Sequence, residues 1–184
     1  DGILVKVEAC GICGGDIRNF YTGLRAGVKK QIMGHEIAGV VEEVGSKVTR
    51  FRAGDRVAMA PDVSCGECYY CKRGLVNLCI HHKMLGTHWP GGFAQYIQVP
   101  GIVLQRGFIE PIPEGMSFEE AVMAEPAASV IACQEYNNVG LGDTVVIIGD
   151  GPIACLHIEI ARARGASKII VAGMDKLALV PQFA

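Results

Sequence analysis

The chain has 184 residues, a net charge of -2, 50% hydrophobic residues and 24 glycines. The hydrophobic content is sufficient for a packed core and argues against intrinsic disorder. The small net charge argues against an electrostatically driven nucleic-acid or acidic-membrane partner. No apolar run approaches the ~18 residues that cross a bilayer, and the glycine excess has no Gly-X-Y period, which excludes collagen. The length favours one full domain or two small ones.

Residues 1–115 are predicted to be mostly β. Apolar strands are expected at Ile3 to Val7, Ile37 to Val44, Val57 to Ala60 and Phe93 to Val99, each bounded by glycine or proline. Short strands that are bounded by glycine and proline favour a small closed or partly open barrel.

Four cysteines stand out because they cluster between residues 65 and 79 with the spacing x2, x2, x7: Cys65, Cys68, Cys71 and Cys79. Two residues between thiolates let one turn aim both sulfurs at a common point, and four sulfurs complete a tetrahedron about zinc. An iron–sulfur cluster or free thiols are the alternatives, but the bacterial ferredoxin pattern ends with an x3 gap and a Cys followed by Pro. Clustered thiols without a visible secretory signal favour metal ligation in a reducing cytosol.

The character of the sequence changes near residue 113. Ser117 and Glu120 form a capping box that is predicted to open a helix through about Glu135. The last residues stop at Ala184 without a finished element and the first read as the inside of a strand, so we expect the chain to be part of a longer one.

A glycine turn follows the predicted strand Thr144 to Ile148, which is apolar throughout and therefore expected to be buried on both faces. The turn, Gly149-Asp150-Gly151-Pro152-Ile153-Ala154, fits G-x-G-x-x-G/A and opens a helix that ends at Gly165. A second strand follows at Lys168 to Val171, which makes a parallel βαβ unit. This context favours a pyrophosphate site, with Gly149, Gly151, Pro152 and Ile153 as cofactor-binding residues. A tight turn without a ligand is the alternative.

Three further residues suggest a second metal site: Cys13, His35 and Glu36. Taken singly, each is more often a packed core residue than a ligand. Together they supply a thiolate, an imidazole and a carboxylate, the mixture that an open catalytic zinc site requires. Glu125, which lies among apolar residues, is a candidate for the fourth ligand because a buried carboxylate needs a partner.

These motifs occur together and in order along nearly the whole chain. The chain resembles the zinc-dependent medium-chain dehydrogenases, most closely their polyol (sorbitol) and threonine dehydrogenase branch. The resembling segments are Gly11-Ile12-Cys13-Gly14, Gly34-His35-Glu36, Gly54-Asp55-Arg56-Val57, the four-cysteine lobe, Gly91-Gly92-Phe93-Ala94, Glu125-Pro126 and the glycine turn.

The resemblance implies an α/β plus β architecture. Residues 1–115 would form a GroES-like β-barrel catalytic domain with both zincs and a structural-zinc lobe at 61–84. Residues 116–184 would form a linking helix and the first βαβ unit of a truncated Rossmann domain, a doubly wound parallel sheet. The resemblance also implies that Cys13, His35 and Glu36 surround a catalytic zinc, with Glu125 as a ligand or as an acceptor for zinc-bound water.

The implied function is a zinc-dependent oxidoreductase that transfers hydride between a secondary alcohol, of a polyol or hydroxy amino acid, and NAD or NADP. Two zincs per chain, a cytoplasmic location and a homo-oligomer, dimer or tetramer, belong to the same expectation. Glu125-Pro126 points to the polyol and threonine branch, because classical alcohol dehydrogenases have a Cys ligand there.

The chain departs from this family at four positions. Gly15 stands where a proton-relaying Ser or Thr is usual, and Arg18 where His is usual. Gly173 occupies the place of the ribose-binding acid, so Asp175, the nearest acid, is the remaining candidate for a cofactor-binding residue there, and either cofactor is expected to bind. Asp150 would repel a pyrophosphate unless it points away. These departures motivate the alternative of a non-catalytic or impaired zinc-binding protein on the same scaffold; a thiol redox sensor is a weaker third reading.

Overall fold

A computed structural model describes residues 1–24, 28 and 30–174. The chain divides into two compact units, Asp1–Ala124 and Glu125–Ala184. The division falls after the short helix Phe118–Ala121 (α3) rather than before it, because Ala121 and Val122 are buried against Ala38 of the first unit. None of the helices among the described residues is long and apolar enough to cross a membrane.

A five-stranded antiparallel sheet organises the first unit. Its strands are Ile3–Gly11 (β1), Glu36–Val44 (β2), Arg56–Ala60 (β3), Tyr96–Val99 (β6) and Phe108–Pro111 (β7). They lie in the order β6-β1-β2-β3-β7. The core of this unit comes from apolar side chains on these strands, with Val5, Val57 and Ile97 each at most 1% exposed. Burying such branched side chains contributes about 1.5–3 kcal/mol each.

The last predicted strand of this region begins later than expected, at Tyr96 rather than Phe93. Residues before it bind a different segment: the N–H groups of Gly91, Gly92 and Phe93 donate to the carbonyls of Ile32, Gly34 and Met33 at 2.8, 2.9 and 2.9 Å. This pairing holds the loop that leads into β2.

Two helices interrupt the region that the sequence predicted to be mostly β. They are Gly14–Thr22 (α1) and Gly101–Arg106 (α2). Both begin with glycine, a poor helix former, so propensity gave no signal for them. A two-stranded sheet, Asp62–Val63 (β4) with Lys83–Met84 (β5), and the 3₁₀ turns Cys71–Arg73 and Val76–Leu78 complete this unit.

The helical stretch predicted from Ser117 to about Glu135 is confirmed, and it consists of α3 and a separate helix, Ala124–Tyr136 (α4). Pro126 explains the break. Proline has no N–H to donate, and only the first four residues of a helix leave their N–H groups unused. A new helix therefore begins two residues before the proline. The predicted capping box of Ser117 and Glu120 is confirmed.

The second unit contains the expected βαβ arrangement. Thr144–Ile148 (β8) and Lys168–Ala172 (β9) pair in parallel, and Pro152–Ala163 (α5) connects them. The expectation that β8 is buried on both faces is wrong for the described residues. Ile147 packs with Ile158 of α5, whereas Val146 and Ile148 are 60% and 89% exposed.

Candidate metal and cofactor sites

Strand register brings the first group of predicted ligands together. β1 pairs with β2 so that Gly11 lies opposite Glu36. The residues just after β1 and just before β2 therefore meet at the same end of the pair. The ligand atoms of Cys13, His35 and Glu36 all lie within 4.8 Å of one another.

Cys13 is the N-cap of α1. Its backbone is extended, and its Sγ accepts a hydrogen bond from the N–H of Gly15 at 3.4 Å. The helix that the sequence did not predict is thus the element whose first turn holds the Cys13 sulfur beside His35 and Glu36.

Asp16 is a site residue that sequence reasoning missed. It is 5% exposed, its Oδ2 accepts the N–H of Cys13 at 3.0 Å, and its Oδ1 lies 3.4 Å from Nδ1 of His35. A carboxylate beside Nδ1 favours a proton on that nitrogen, which leaves Nε2 as the metal-binding atom. The available signal was the Cys-x-x-Asp spacing, a capping box in which Cys replaces the usual Ser or Thr.

Glu36 is the first residue of β2 and is 8% exposed. A Cβ built on Gly11 would overlap its carboxylate, so glycine is required at that position. Burial raises the pKa of Glu36; the nearby His35 lowers it and the charge of Asp16 raises it. Two buried carboxylates and a thiol in one cluster are costly without positive charge. The donor set therefore fits a divalent cation such as zinc.

The loop before His35 is held in a form that only glycine allows. Gly34 has φ +93°, and a Cβ there would lie 2.7 Å from Cδ1 of Phe93 and 2.8 Å from Sγ of Cys10. Burial raises the pKa of Cys10 to about 12, with further contributions from Asp16 and Glu36, so Cys10 stays a neutral thiol. Cys10 is therefore a packing residue beside the ligands.

The four-cysteine lobe forms a second cluster, with the sulfurs of Cys65, Cys68, Cys71 and Cys79 all within 4.8 Å of one another. The Sγ atoms of Cys65 and Cys71 are 3.9 Å apart, and those of Cys68 and Cys71 are 3.5 Å apart. Four sulfurs at ~2.3 Å from a tetrahedral zinc would be separated by about 3.8 Å. The observed spacing therefore fits zinc.

Backbone N–H groups aim at these sulfurs. The N–H of Cys65 donates to Cys79 at 3.3 Å, and the N–H of Cys68 donates to Cys65 at 3.4 Å. A hydrogen bond from the backbone of Cys71 is the main cause that lowers the pKa of Cys68 to about 6. Such donors stabilise thiolates, the form that binds metal. A site with four sulfur ligands is closed to substrate, so its role is structural.

The glycine turn joins β8 to α5. Gly149 has φ +134°, and Gly151 is the N-cap of α5, whose first turn holds no acidic residue. A Cβ added to either glycine would meet nothing within 4 Å among the described residues. Pro152 occupies the first position of the helix, followed by Ile153. This open helix N-terminus suits a dinucleotide pyrophosphate.

The carboxylate of Asp150 reaches the backbone that follows β9. Its Oδ2 accepts the N–H of Met174 at 3.0 Å, beyond the end of β9. The charge repulsion that the sequence raised against pyrophosphate binding is therefore relieved, and the turn fits the group.

The remaining predicted positions are distributed as follows. Gly15 faces the first cluster, because a Cβ there would lie 3.8 Å from Sγ of Cys13 and 3.9 Å from Cε1 of His35. Arg18 is an exposed residue of α1. Glu125 lies in the first turn of α4, in the second unit, and Asp175 lies outside the described residues.

Comparisons with known proteins agree with this geometry. Residues 1–106 match the family described as the alcohol dehydrogenase GroES-like domain. The chain is 40% identical over 184 residues to a sorbitol dehydrogenase of Bacillus subtilis, covering 97% of this chain and 50% of that protein. It is 38% identical over 177 residues to an L-idonate 5-dehydrogenase of Vitis vinifera, covering 94% and 47%.

Solved structures are similar over the whole chain. A zinc-binding dehydrogenase of Sinorhizobium meliloti bound to NADP has a TM-score of 0.90 and 36% identity, covering 100% of this chain and 53% of that one. Galactitol-1-phosphate dehydrogenase of Escherichia coli has a TM-score of 0.89 and 32% identity, with 100% and 52% covered. The chain thus spans about half the length of the curated relatives it matches.

Proposed function

Because the chain belongs to the alcohol dehydrogenase GroES-like domain family, we propose that it is part of a zinc-dependent oxidoreductase that transfers hydride between a secondary alcohol and NAD or NADP. The observation that carries the proposal is the cluster of Cys13, His35 and Glu36, whose ligand atoms lie within 4.8 Å of one another. The names of the relatives, sorbitol dehydrogenase and L-idonate 5-dehydrogenase, favour a polyol-type substrate over a hydroxy amino acid.

Each residue of the first cluster has a distinct role in this proposal. The first turn of α1 holds the Cys13 sulfur through the Gly15 N–H, and Asp16 orients His35 so that Nε2 would be the atom that binds the metal. Glu36 adds negative charge to the site. When bound, zinc would supply a Lewis acid for the substrate oxygen, and the nicotinamide would serve as the hydride acceptor.

The second unit supplies the cofactor site in this proposal. Backbone N–H groups at Gly151 and Ile153 hold the pyrophosphate at the start of α5. The exposed apolar face of β8, with Val146 60% and Ile148 89% exposed, supports a Rossmann domain whose further elements cover it. The proposal also includes a cytoplasmic location, because reduced thiolates are the metal-binding form. A homo-oligomer, dimer or tetramer, is part of the same proposal.

Zinc analysis of the intact protein tests the metal sites. We expect two zincs per chain in the wild type and one in each of the variants Cys13→Ser and Cys71→Ser. Cys13→Ser should abolish turnover and leave the thermal unfolding of the protein nearly unchanged, whereas Cys71→Ser should lower the unfolding temperature. One zinc in the wild type, or iron in place of zinc, would overturn the assignment.

One observation favours the non-catalytic alternative. Position 15 faces the Cys13 and His35 side chains, and glycine offers no hydroxyl there to relay a proton. Cofactor titration separates the two functions, because an intact protein that binds neither NADH nor NADPH at millimolar concentration is not the proposed enzyme.

A further inference from the structure

At the carboxyl ends of β8 and β9, the side chain of Asp150 lies where a side chain at position 173 would lie. A Cβ built on Gly173 would lie 2.6 Å from Oδ2 and 2.7 Å from Cγ of Asp150. The same Oδ2 accepts the N–H of Met174 at 3.0 Å. The carboxylate of Asp150 therefore fills the volume that a side chain at position 173 would take.

The backbone fixes this arrangement. Ile148 and Ala172, the last residues of β8 and β9, lie opposite each other in the parallel pair. The N–H of Gly149 donates to the carbonyl of Ala172 at 2.7 Å, which ties the glycine turn to the end of β9. The Cβ of Asp150 thus starts next to Gly173, and a short side chain is enough to reach Met174.

The position has a defined chemistry in parallel sheets that bind dinucleotides. Ligands bind outside the carboxyl ends of the strands, and an acid at the end of the second strand accepts hydrogen bonds from the adenosine ribose. This chain has no side chain at that point, because Gly173 follows β9 directly. A carboxylate reaches the same place from the first turn instead.

We propose that Asp150 supplies the ribose-binding carboxylate of this protein, so that it selects NAD over NADP. The inference rests on the proposed function, since it requires a nicotinamide dinucleotide at the glycine turn. A carboxylate offers about four lone-pair sites, so accepting the Met174 N–H leaves capacity for hydroxyl hydrogens. A 2′-phosphate is negative and donates no hydrogen bond from its ionised oxygens, so the carboxylate repels it.

This assignment differs from the expectation drawn from Gly173 alone, which is weak discrimination between the two cofactors. The difference arises because the compensating acid is 23 positions earlier in the sequence, in the turn where an acid was expected to harm phosphate binding. Only the contact between Asp150 and the Gly173–Met174 backbone indicates that Asp150 can take the role of an acid at position 173.

The test is a fluorescence titration of the intact protein with NADH and with NADPH, which measures binding without turnover. We expect wild-type protein to bind NADH about tenfold or more tightly than NADPH. Asp150→Asn should reduce this ratio by about tenfold, because the amide keeps an oxygen for the Met174 N–H and loses the charge. Asp150→Ala should reduce it at least as much.

Two further variants serve as controls. Glu159→Gln changes an exposed carboxylate of α5 that pairs with Arg162 at 3.6 Å, and it should leave the ratio unchanged. Asp175→Asn tests the acid that comes two positions after Gly173 in the sequence, and it should also leave the ratio unchanged. A second readout needs no variant: the 2′-deoxyadenosine analogue of NADH should bind wild-type protein about tenfold more weakly than NADH.

The outcomes separate the two proposals. An unchanged ratio in Asp150→Asn, a preference for NADPH in the wild type, or a larger effect of Asp175→Asn would overturn the role of Asp150 while cofactor binding stands. Binding of neither cofactor by the wild type would overturn the proposed function itself.

Discussion

Replacing Asp16 by Asn removes one carboxylate oxygen from the first metal cluster and keeps the size of the side chain. In the wild type, the two oxygens have separate partners: Oδ2 accepts the Cys13 N–H at 3.0 Å and Oδ1 faces Nδ1 of His35 at 3.4 Å. An amide has one oxygen, so it can serve only one of these partners. If the amide nitrogen faces His35, the proton moves to Nε2 and that nitrogen no longer binds metal.

The expected magnitude follows from the role of Asp16 as the residue that orients a ligand. Loss of such a partner costs about 10- to 100-fold in metal affinity. Zinc competition with a chromophoric chelator measures this affinity, and the four-cysteine lobe should keep its zinc in the variant. Thermal unfolding should change little in the zinc-loaded protein.

Asp55→Asn is the matched control for this experiment. Asp55 also caps a backbone N–H three residues away, that of Arg52 at 2.9 Å, in the same unit and outside the ligand cluster. We expect this variant to bind both zincs as the wild type does. The reasoning is refuted if Asp16→Asn retains wild-type zinc affinity, or if Asp55→Asn loses as much affinity as Asp16→Asn.

Three other predictions concern single positions. Gly34→Ala should destabilise the first unit by about 1–3 kcal/mol from the strain at φ +93° alone, and lower the zinc content to one per chain, as measured by urea unfolding and metal analysis. Ile158→Ala, which truncates a side chain 1% exposed, should destabilise the second unit by about 2–5 kcal/mol in the same assay and leave both zincs in place. Gly15→Ser should fold normally, since its Cβ makes only ordinary contacts, and raise kcat about tenfold or more by restoring a hydroxyl beside the ligands. An unchanged kcat with intact zinc content would argue against a proton relay at this position.

Sequence reasoning was sufficient where the residues of a site lie close together in the sequence. The four cysteines follow one another within a single loop, and the sulfurs do come together. The turn from Gly149 to Ala154 lies between an apolar strand and a helix, so its context could be judged from neighbouring residues. Four strands of the first unit, β1, β2, β3 and β6, were found within a few residues because their apolar runs are bounded by glycine and proline. The short strands β4, β5 and β7 were not predicted.

Sequence reasoning failed where an unusual residue type takes a structural role, and where the residues involved are distant in the sequence. The helix α1 was missed because Cys13 and Asp16 form its capping box in place of the usual residues, and glycines follow the cap. The break between α3 and α4 depends on the position that Pro126 takes in a helix, which must be in the first turn. The exchange between Asp150 and Gly173 involves two strand ends that only the parallel pairing brings together.

The central claim is that Cys13, His35 and Glu36 hold a metal ion separate from the one in the four-cysteine lobe. Anomalous diffraction from a crystal of the intact protein, collected on both sides of the zinc absorption edge, tests it most directly. We expect two zinc peaks, one bounded by the Cys13, His35 and Glu36 side chains and one inside the four sulfurs. A single peak in the four-cysteine lobe, with the first cluster empty in zinc-saturated protein, would contradict it.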